Sequence, residues 1–136
     1  MTRSLPASDP KRILIVDDNK MGLSARRSVL EAVGHTVTTA LSATEALTLF
    51  KDGAFDLVVT DYKMPGMSGL ELIEKLRANG FSGKVILASG TLHEAVENMD
   101  WARTVDKMVH KPFRMAELSD AVREIAEQLD QDCPKE

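Results

Sequence analysis

Five polar residues stand directly after short apolar runs of this sequence. They are three acids, a hydroxyl and an amine: Asp17, Asp18, Asp61, Ser89 and Lys111. Carboxylates that lie close together raise one another's pKa, so such a cluster needs a positive charge nearby. Mg²⁺ suits it, because this ion prefers oxygen ligands and is often shared between carboxylates and a phosphate. A carboxylate can also attack phosphorus, and metal, amine and hydroxyl would then neutralise the phosphoryl oxygens.

The segments between these residues predict the elements that position them. Short β-branched runs alternate with stretches of helical spacing, as in βα units wound around a parallel sheet. The predicted strands cover residues 13–16, 35–39, 57–60, 85–88 and 107–110. Parallel strands point the same way, so their carboxyl ends share one edge, where open α/β sheets bind ligands. The five polar residues are therefore expected to meet at that edge.

Five helices are predicted from apolar spacing and from start and stop signals. The first has an apolar residue at every fourth position before Gly34. Ser42 and Glu45 form a capping-box pattern at the start of the second. The apolar series of the five helices, in chain order, are Met21, Ala25, Val29 and Val33; Ala46, Leu47 and Phe50; Leu70, Ile73 and Leu76; Leu92, Val96 and Met99; and Leu118, Val122, Ile125 and Leu129.

Length and composition predict one domain in a reducing compartment. The chain has 136 residues, and we expect a domain over 11–130 between flexible tails at 1–10 and 131–136. Its net charge of -4, without a basic block, argues against direct binding of nucleic acid. No signal-peptide pattern and no run of about 18 apolar residues occurs, so we expect no membrane association and a cytoplasmic location.

Four motifs together resemble the receiver domain of bacterial two-component response regulators. They are ILIVDD, LVVTDYKMPGMSG, ILASG and the triplet Lys111-Pro112-Phe113. Each is common by chance, but all four in order, each at a strand end, are specific. The resemblance covers roughly residues 11–129. It implies a flavodoxin-like, chemotaxis-regulator-like fold: a single-domain, doubly wound parallel sheet of five strands, in the order 2-1-3-4-5, flanked by five helices.

The resemblance also implies a metal site around the phosphoacceptor. Asp61 would accept the phosphoryl group and also act as a metal ligand. Asp18 would ligate Mg²⁺ directly, Asp17 would act mainly through water, and the backbone carbonyl of Lys63 would complete the protein's share of the metal shell. Mn²⁺ is the expected substitute.

Further residues are implied to surround the phosphoryl group. The hydroxyl of Ser89 would turn toward it, and Gly90 would leave room for it. Lys111 would bind a phosphoryl oxygen, and the bond to Pro112 resembles one that the family holds in cis. Thr91 and the side chain of Lys63 occupy positions that tune acyl-phosphate lifetime.

The implied function is signalling rather than turnover of a substrate. The phosphoryl group would come from a sensor histidine kinase or a histidine phosphotransfer protein, in two-component signalling or a phosphorelay. The chain would catalyse only its own phosphorylation and dephosphorylation. An output protein, unidentified by the sequence, and a phosphorylation-dependent homodimer are the expected partners.

Three alternatives stay open at this point. Met108 stands where the family has a switch aromatic residue, which keeps a phosphorylation-independent interaction module in play. Asp17, Asp18 and Asp61 could instead cap helices. The third is another class of protein: a phosphohydrolase of the haloacid-dehalogenase type, which would need a second aspartate at position 63 where this chain has lysine, or a flavodoxin-like cofactor protein, which would need a Ser/Thr-rich phosphate loop after the first strand.

Overall fold

A computed structural model describes residues 11–52, 55–64, 66–89, 105–110 and 115–132. Within these ranges the chain forms five strands and four helices. Their order is β1 (Arg12–Val16), α1 (Lys20–Val33), β2 (Thr36–Ala40), α2 (Ala43–Asp52), β3 (Leu57–Asp61), α3 (Gly69–Ala78), β4 (Lys84–Ser89), β5 (Lys107–His110) and α4 (Met115–Asp132). The predicted helix with Leu92, Val96 and Met99 lies outside the described residues.

The five strands form one parallel sheet in the order β2-β1-β3-β4-β5. This confirms the predicted order. Strand β1 is an interior strand, with β2 on one side and β3 on the other, and β3 is the central strand of the five. The predicted bounds of β5 match the observed ones, and those of the other four strands differ by one residue at one or both ends, as in β2, which covers 36–40 rather than 35–39.

Both faces of the sheet are covered, which explains the continuous apolar run of β1. Alternate side chains of a strand point to opposite faces. Leu14 and Val16 pack in a core with α2 and α3, whereas Ile13 and Ile15 pack in a second core with α1 and α4. All four are fully buried. Helices therefore cover both faces of the sheet at β1.

Helix α1 buries a different face from the one predicted. Met21 is 82% exposed and Val33 45% exposed, whereas Leu23, Arg26 and Leu30 are buried. The predicted stripe was wrong because a spacing of four residues turns about 40° too far at each step, so it drifts around the helix. Gly34 does end the helix, in the left-handed conformation at φ 115°.

Helix caps fix how two helices leave the sheet. At α2, Ser42 accepts the N–H of Glu45 at 3.1 Å, but the Glu45 carboxylate accepts the N–H of Leu41 rather than that of Ser42. Only half of the predicted capping box is therefore present. A complete box, which we did not predict, begins α3, where Ser68 and Glu71 bond reciprocally.

Helix α4 buries the predicted apolar series as far as it is described. Leu118, Val122 and Ile125 are buried. The helix reaches Asp132, two residues past the predicted domain end. Among the residues that the structure describes, no helix has the length and apolarity needed to span a membrane.

Candidate metal centre

The ends of β1 and β3 bring three acids together. The strands lie side by side, with Val16 in register with Thr60, so Asp17 and Asp61 leave the sheet next to each other. Asp17 is 2% exposed and Asp61 1% exposed, whereas Asp18 is open to solvent. One carboxylate oxygen from each lies within 4.8 Å of the others. The strand order reverses here, because β2 lies on one side of β1 and β3 on the other. Open α/β sheets bind ligands at such a point.

Backbone contacts fix Asp17 at the end of β1. Its N–H donates to the carbonyl of Ala40 at 3.1 Å, and its Oδ1 accepts the N–H of Asn19 at 3.1 Å. The residue that caps α1 is Asn19, whose side chain accepts the N–H of Gly22 at 3.0 Å. The alternative that Asp17 or Asp18 caps this helix is therefore wrong.

The start of α3 fixes the backbone of Asp61. The N–H of Gly69 donates to the carbonyl of Tyr62 at 2.8 Å. A Cβ at position 69 would lie 2.1 Å from the carbonyl oxygen of Asp61, so only glycine permits this approach. The cap of α3 is Ser68, which rules out Asp61 in that role. The backbone at the start of α3 therefore lies against the carbonyl of Asp61, which is possible only because position 69 has no side chain.

Arg26 also reaches the acids, which sequence reasoning missed. It lies on the buried face of α1 and is 7% exposed. Its Nη1 is 2.9 Å from Oδ2 of Asp17 and donates to Oδ1 of Asp61 at 3.4 Å. The spacing of Leu23, Arg26 and Leu30 places the arginine on the same helix face as two core leucines, but a pattern of apolar residues assigns an arginine to the solvent.

The contacts of Asp17 act on its pKa in opposite directions, and the net effect is an increase. Burial raises the pKa of Asp17 above its ordinary value of 3.8, and the neighbouring Asp61 carboxyl raises it further. The N–H of Asn19 and the charge of Arg26 act in the opposite direction but do not reverse the shift. An additional positive charge at the cluster would therefore stabilise the carboxylate form.

The remaining predicted site residues fall into two groups. Lys63 follows Asp61 and Tyr62 with an exposed side chain, and Ser89 ends β4, the neighbour of β3, in register with His110. The other group lies outside the described residues: Gly90, Thr91, Lys111 and Pro112.

Met108 lies in the interior of β5. It pairs with Leu87 of β4 and is half-buried, with its side chain packed against the core shared with α2 and α3. The position where the resemblance predicts a switch aromatic residue is thus occupied by an aliphatic thioether in contact with the core.

The three acids fit a hard divalent cation. They offer carboxylate oxygens alone, which is the donor type that Mg²⁺ and Mn²⁺ accept. The exposure of Asp18 leaves one side of the cluster open to water and to an incoming anion. Such an arrangement can hold a cation that keeps several of its waters.

Comparisons with known proteins agree with this geometry. The family model of the response regulator receiver domain matches residues 13–123. The chain is 36% identical over 109 residues to the two-component response regulator PhoP of Pseudomonas aeruginosa, covering 79% of this chain and 48% of that protein. It is 30% identical over 115 residues to the aerobic respiration control sensor protein ArcB of Escherichia coli K12, covering 82% of this chain and 14% of that protein. The chain therefore spans about half or less of the length of these relatives.

A solved structure has the same fold. The response regulator protein TrrA of Thermotoga maritima, in complex with Mg²⁺-BeF, superposes with a TM-score of 0.74 at 36% identity, covering 85% of this chain and 98% of that chain. Sheet order, acid cluster and family match point to one conclusion: this chain belongs to the family of response regulator receiver domains, which serve two-component signalling.

Proposed function

We propose that this chain accepts a phosphoryl group on Asp61 in a reaction that depends on a divalent cation. The observation that carries the proposal is the cluster itself, in which an oxygen of Asp61 lies within 4.8 Å of oxygens of Asp17 and Asp18. A carboxylate at a strand end, beside a second buried acid and an exposed one, suits attack on a phosphoryl group bound with metal.

The three acids have different parts in this proposal. Asp61 would attack the phosphorus of a phosphohistidine or of acetyl phosphate, form an acyl phosphate and displace the imidazole or acetate. Asp18, the exposed acid, would hold Mg²⁺ directly, and the buried Asp17 would hold it mainly through water. The backbone carbonyl of Lys63 would complete the protein's share of the metal shell. When bound, Mg²⁺ neutralises negative charge on the phosphoryl oxygens.

The phosphoryl pocket is proposed from the family resemblance. Ser89 would contact a phosphoryl oxygen through its hydroxyl, and its position at the end of β4, next to β3, supports this role. Gly90, Thr91, Lys111 and Pro112 retain the roles that the resemblance implies.

The phosphoryl donor is proposed to be a sensor histidine kinase or a histidine phosphotransfer protein in the cytoplasm. The similarity to a sensor protein and to a response regulator supports this assignment. The Mg²⁺-BeF complex of the Thermotoga maritima relative supports Mg²⁺ as the cation, and we extend the proposal to Mn²⁺.

Intact mass spectrometry with acetyl phosphate tests the proposal. With Mg²⁺ we expect a mass gain of one phosphoryl group, and we expect none after EDTA treatment. Asp61→Asn should abolish the gain. Asp120→Asn is the matched control, because Asp120 is an exposed acid of α4 that pairs with Arg123. An unmodified wild-type protein, or full modification of Asp61→Asn, would refute the proposal.

A second candidate is a receiver that signals without phosphorylation. The observation that favours it is Met108, which packs against the core without a ring or hydroxyl to report movement of Ser89. In this case beryllofluoride with Mg²⁺ should change neither the oligomeric state nor the partners captured. A change in either favours the phosphorylation-dependent function, in which a homodimer or a new partner appears.

A further inference from the structure

We propose that Arg26 is a built-in counter-ion of the acid cluster and competes with a divalent cation for Asp17 and Asp61. The inference rests on the proposed function, since it concerns the same cation site. It assigns to α1 a role in setting metal affinity.

The place of Arg26 in the helix first separates it from an ordinary surface arginine. Leu23, Arg26 and Leu30 are the buried residues of α1, and the two leucines pack in the core beneath the sheet. A guanidinium keeps its charge at any ordinary pH, so burial on such a face requires acids as partners. Asp17 and Asp61 are those partners, and both are almost fully buried themselves.

The distances place one nitrogen of Arg26 between the two acids. Nη1 lies 2.9 Å from Oδ2 of Asp17 and 3.4 Å from Oδ1 of Asp61. A magnesium ion binds carboxylate oxygen at roughly 2.1 Å, so an ion at this cluster would share these carboxylates with the guanidinium. Two cations this close repel each other strongly where solvent is excluded.

The charge of the cluster also predicts that Arg26 weakens cation binding. The cluster attracts a cation through its carboxylate charges, and the guanidinium of Arg26 offsets one of these charges. A neutral residue at position 26 would restore the full attraction. Arg26 therefore stabilises the metal-free protein and weakens cation binding.

Arg27 offers a matched control. It is the next residue of α1 and carries the same charge, but it is 52% exposed and pairs with Glu31 at 2.9 Å on the outer surface. Replacing it changes the net charge of the protein by the same amount as replacing Arg26. Any difference between the two substitutions therefore reports on the cluster alone.

Isothermal titration of metal-free protein with MgCl₂ tests the inference. Arg26→Met and Arg26→Gln should bind Mg²⁺ at least about tenfold more tightly than the wild type, or about 1.4 kcal/mol. Arg26→Lys, which keeps the charge, and Arg27→Gln should stay within a few-fold of the wild type. Circular dichroism establishes that each variant is folded. Equal or weaker Mg²⁺ binding by both folded neutral variants would overturn the inference.

A measurement on the wild-type protein serves if the neutral variants do not fold. The side-chain nitrogen resonances of Arg26 should shift on saturation with Mg²⁺, while those of Arg27 stay in place. Unchanged Arg26 resonances would overturn the inference. Phosphorylation is not part of either readout, so failure of phosphoryl uptake and failure of this competition are separate results.

Discussion

Replacing Gly69 with alanine would place a methyl group against the backbone of the proposed phosphoacceptor. The new Cβ would lie 2.1 Å from the carbonyl oxygen of Asp61 and 3.1 Å from Cδ1 of Leu87. Ordinary contact needs more than an ångström of additional space, so either the start of α3 or the end of β3 must move. The N–H of Gly69 also donates to Tyr62 in this position, and movement would lengthen that bond.

The expected cost of Gly69→Ala follows from these contacts. Overpacking of this kind costs about 1–3 kcal/mol, and a strained hydrogen bond about 1 kcal/mol. The higher helix propensity of alanine offsets at most about 1 kcal/mol. We therefore expect the free energy of unfolding to fall by about 1–3 kcal/mol, with Tm lower by roughly 3–12 °C.

Urea denaturation measures this change, with an unaltered m-value indicating that stability alone has changed. Gly22→Ala is the control, because a Cβ there meets Oδ2 of Asp17 only at 3.4 Å, within ordinary contact. That variant should be as stable as the wild type or more stable, since Gly22 lies inside α1. If Gly69→Ala unfolds at the same urea concentration as the wild type, the steric reasoning is refuted.

Three further predictions concern pH and helix capping. Burial and the charge of Lys11 lower the pKa of His35 below 6.5, and the neutral ring accepts the Lys11 N–H at 2.9 Å. Stability should therefore be lost as the pH falls below 6.5 toward the lowered value, by at most about 1.4 kcal/mol per pH unit for this proton. His35→Asn should remove that loss in urea titrations, and an identical pH profile would contradict the assignment. The raised pKa of Asp17 has the opposite consequence. In metal-free buffer, the contribution of Asp17 to stability should be lost as the pH rises from 3.8 through the pKa of the folded state. The stability of Asp17→Asn relative to the wild type should then increase over this range, and parallel curves would count against it. Ser68→Ala removes the cap bonded to Glu71 and should cost about 1 kcal/mol in thermal unfolding, whereas an unchanged Tm would show that the box contributes nothing.

The convergence of the acids could be expected from the residues, and the sheet order from the family resemblance. The run 13–16 is continuously apolar because both faces of β1 are buried, and it stops at Asp17. Parallel strands then leave no freedom about which ends meet. The place of Asp17 beside Asp61 follows from the adjacency of β1 and β3.

The buried arginine could not be expected from the same reasoning. Sequence patterns classify residues as apolar or polar, and this rule assigns Arg26 to the solvent. The predicted stripe, which included Met21 and Val33, also placed the buried face of α1 on the wrong side of the helix. Arg26 became a core residue because two buried acids across the sheet edge compensate its charge, and that compensation depends on tertiary contacts.

The close contact at Gly69 could not be predicted from the sequence for a related reason. A glycine after a loop predicts a turn or a helix start, but the close approach to the Asp61 carbonyl depends on how α3 sits against β3. The residue pattern of the Ser68 capping box is visible in the sequence, although we did not predict the box from it.

The most direct test of the central claim is to locate the acyl phosphate in the chain. Protein treated with acetyl phosphate and Mg²⁺ is reduced with borohydride, which converts a phosphorylated aspartate to homoserine, and its peptides are then sequenced by mass spectrometry. The account predicts homoserine at position 61, with aspartate retained at 17 and 18. Homoserine at another position, with aspartate unmodified at 61, would contradict it.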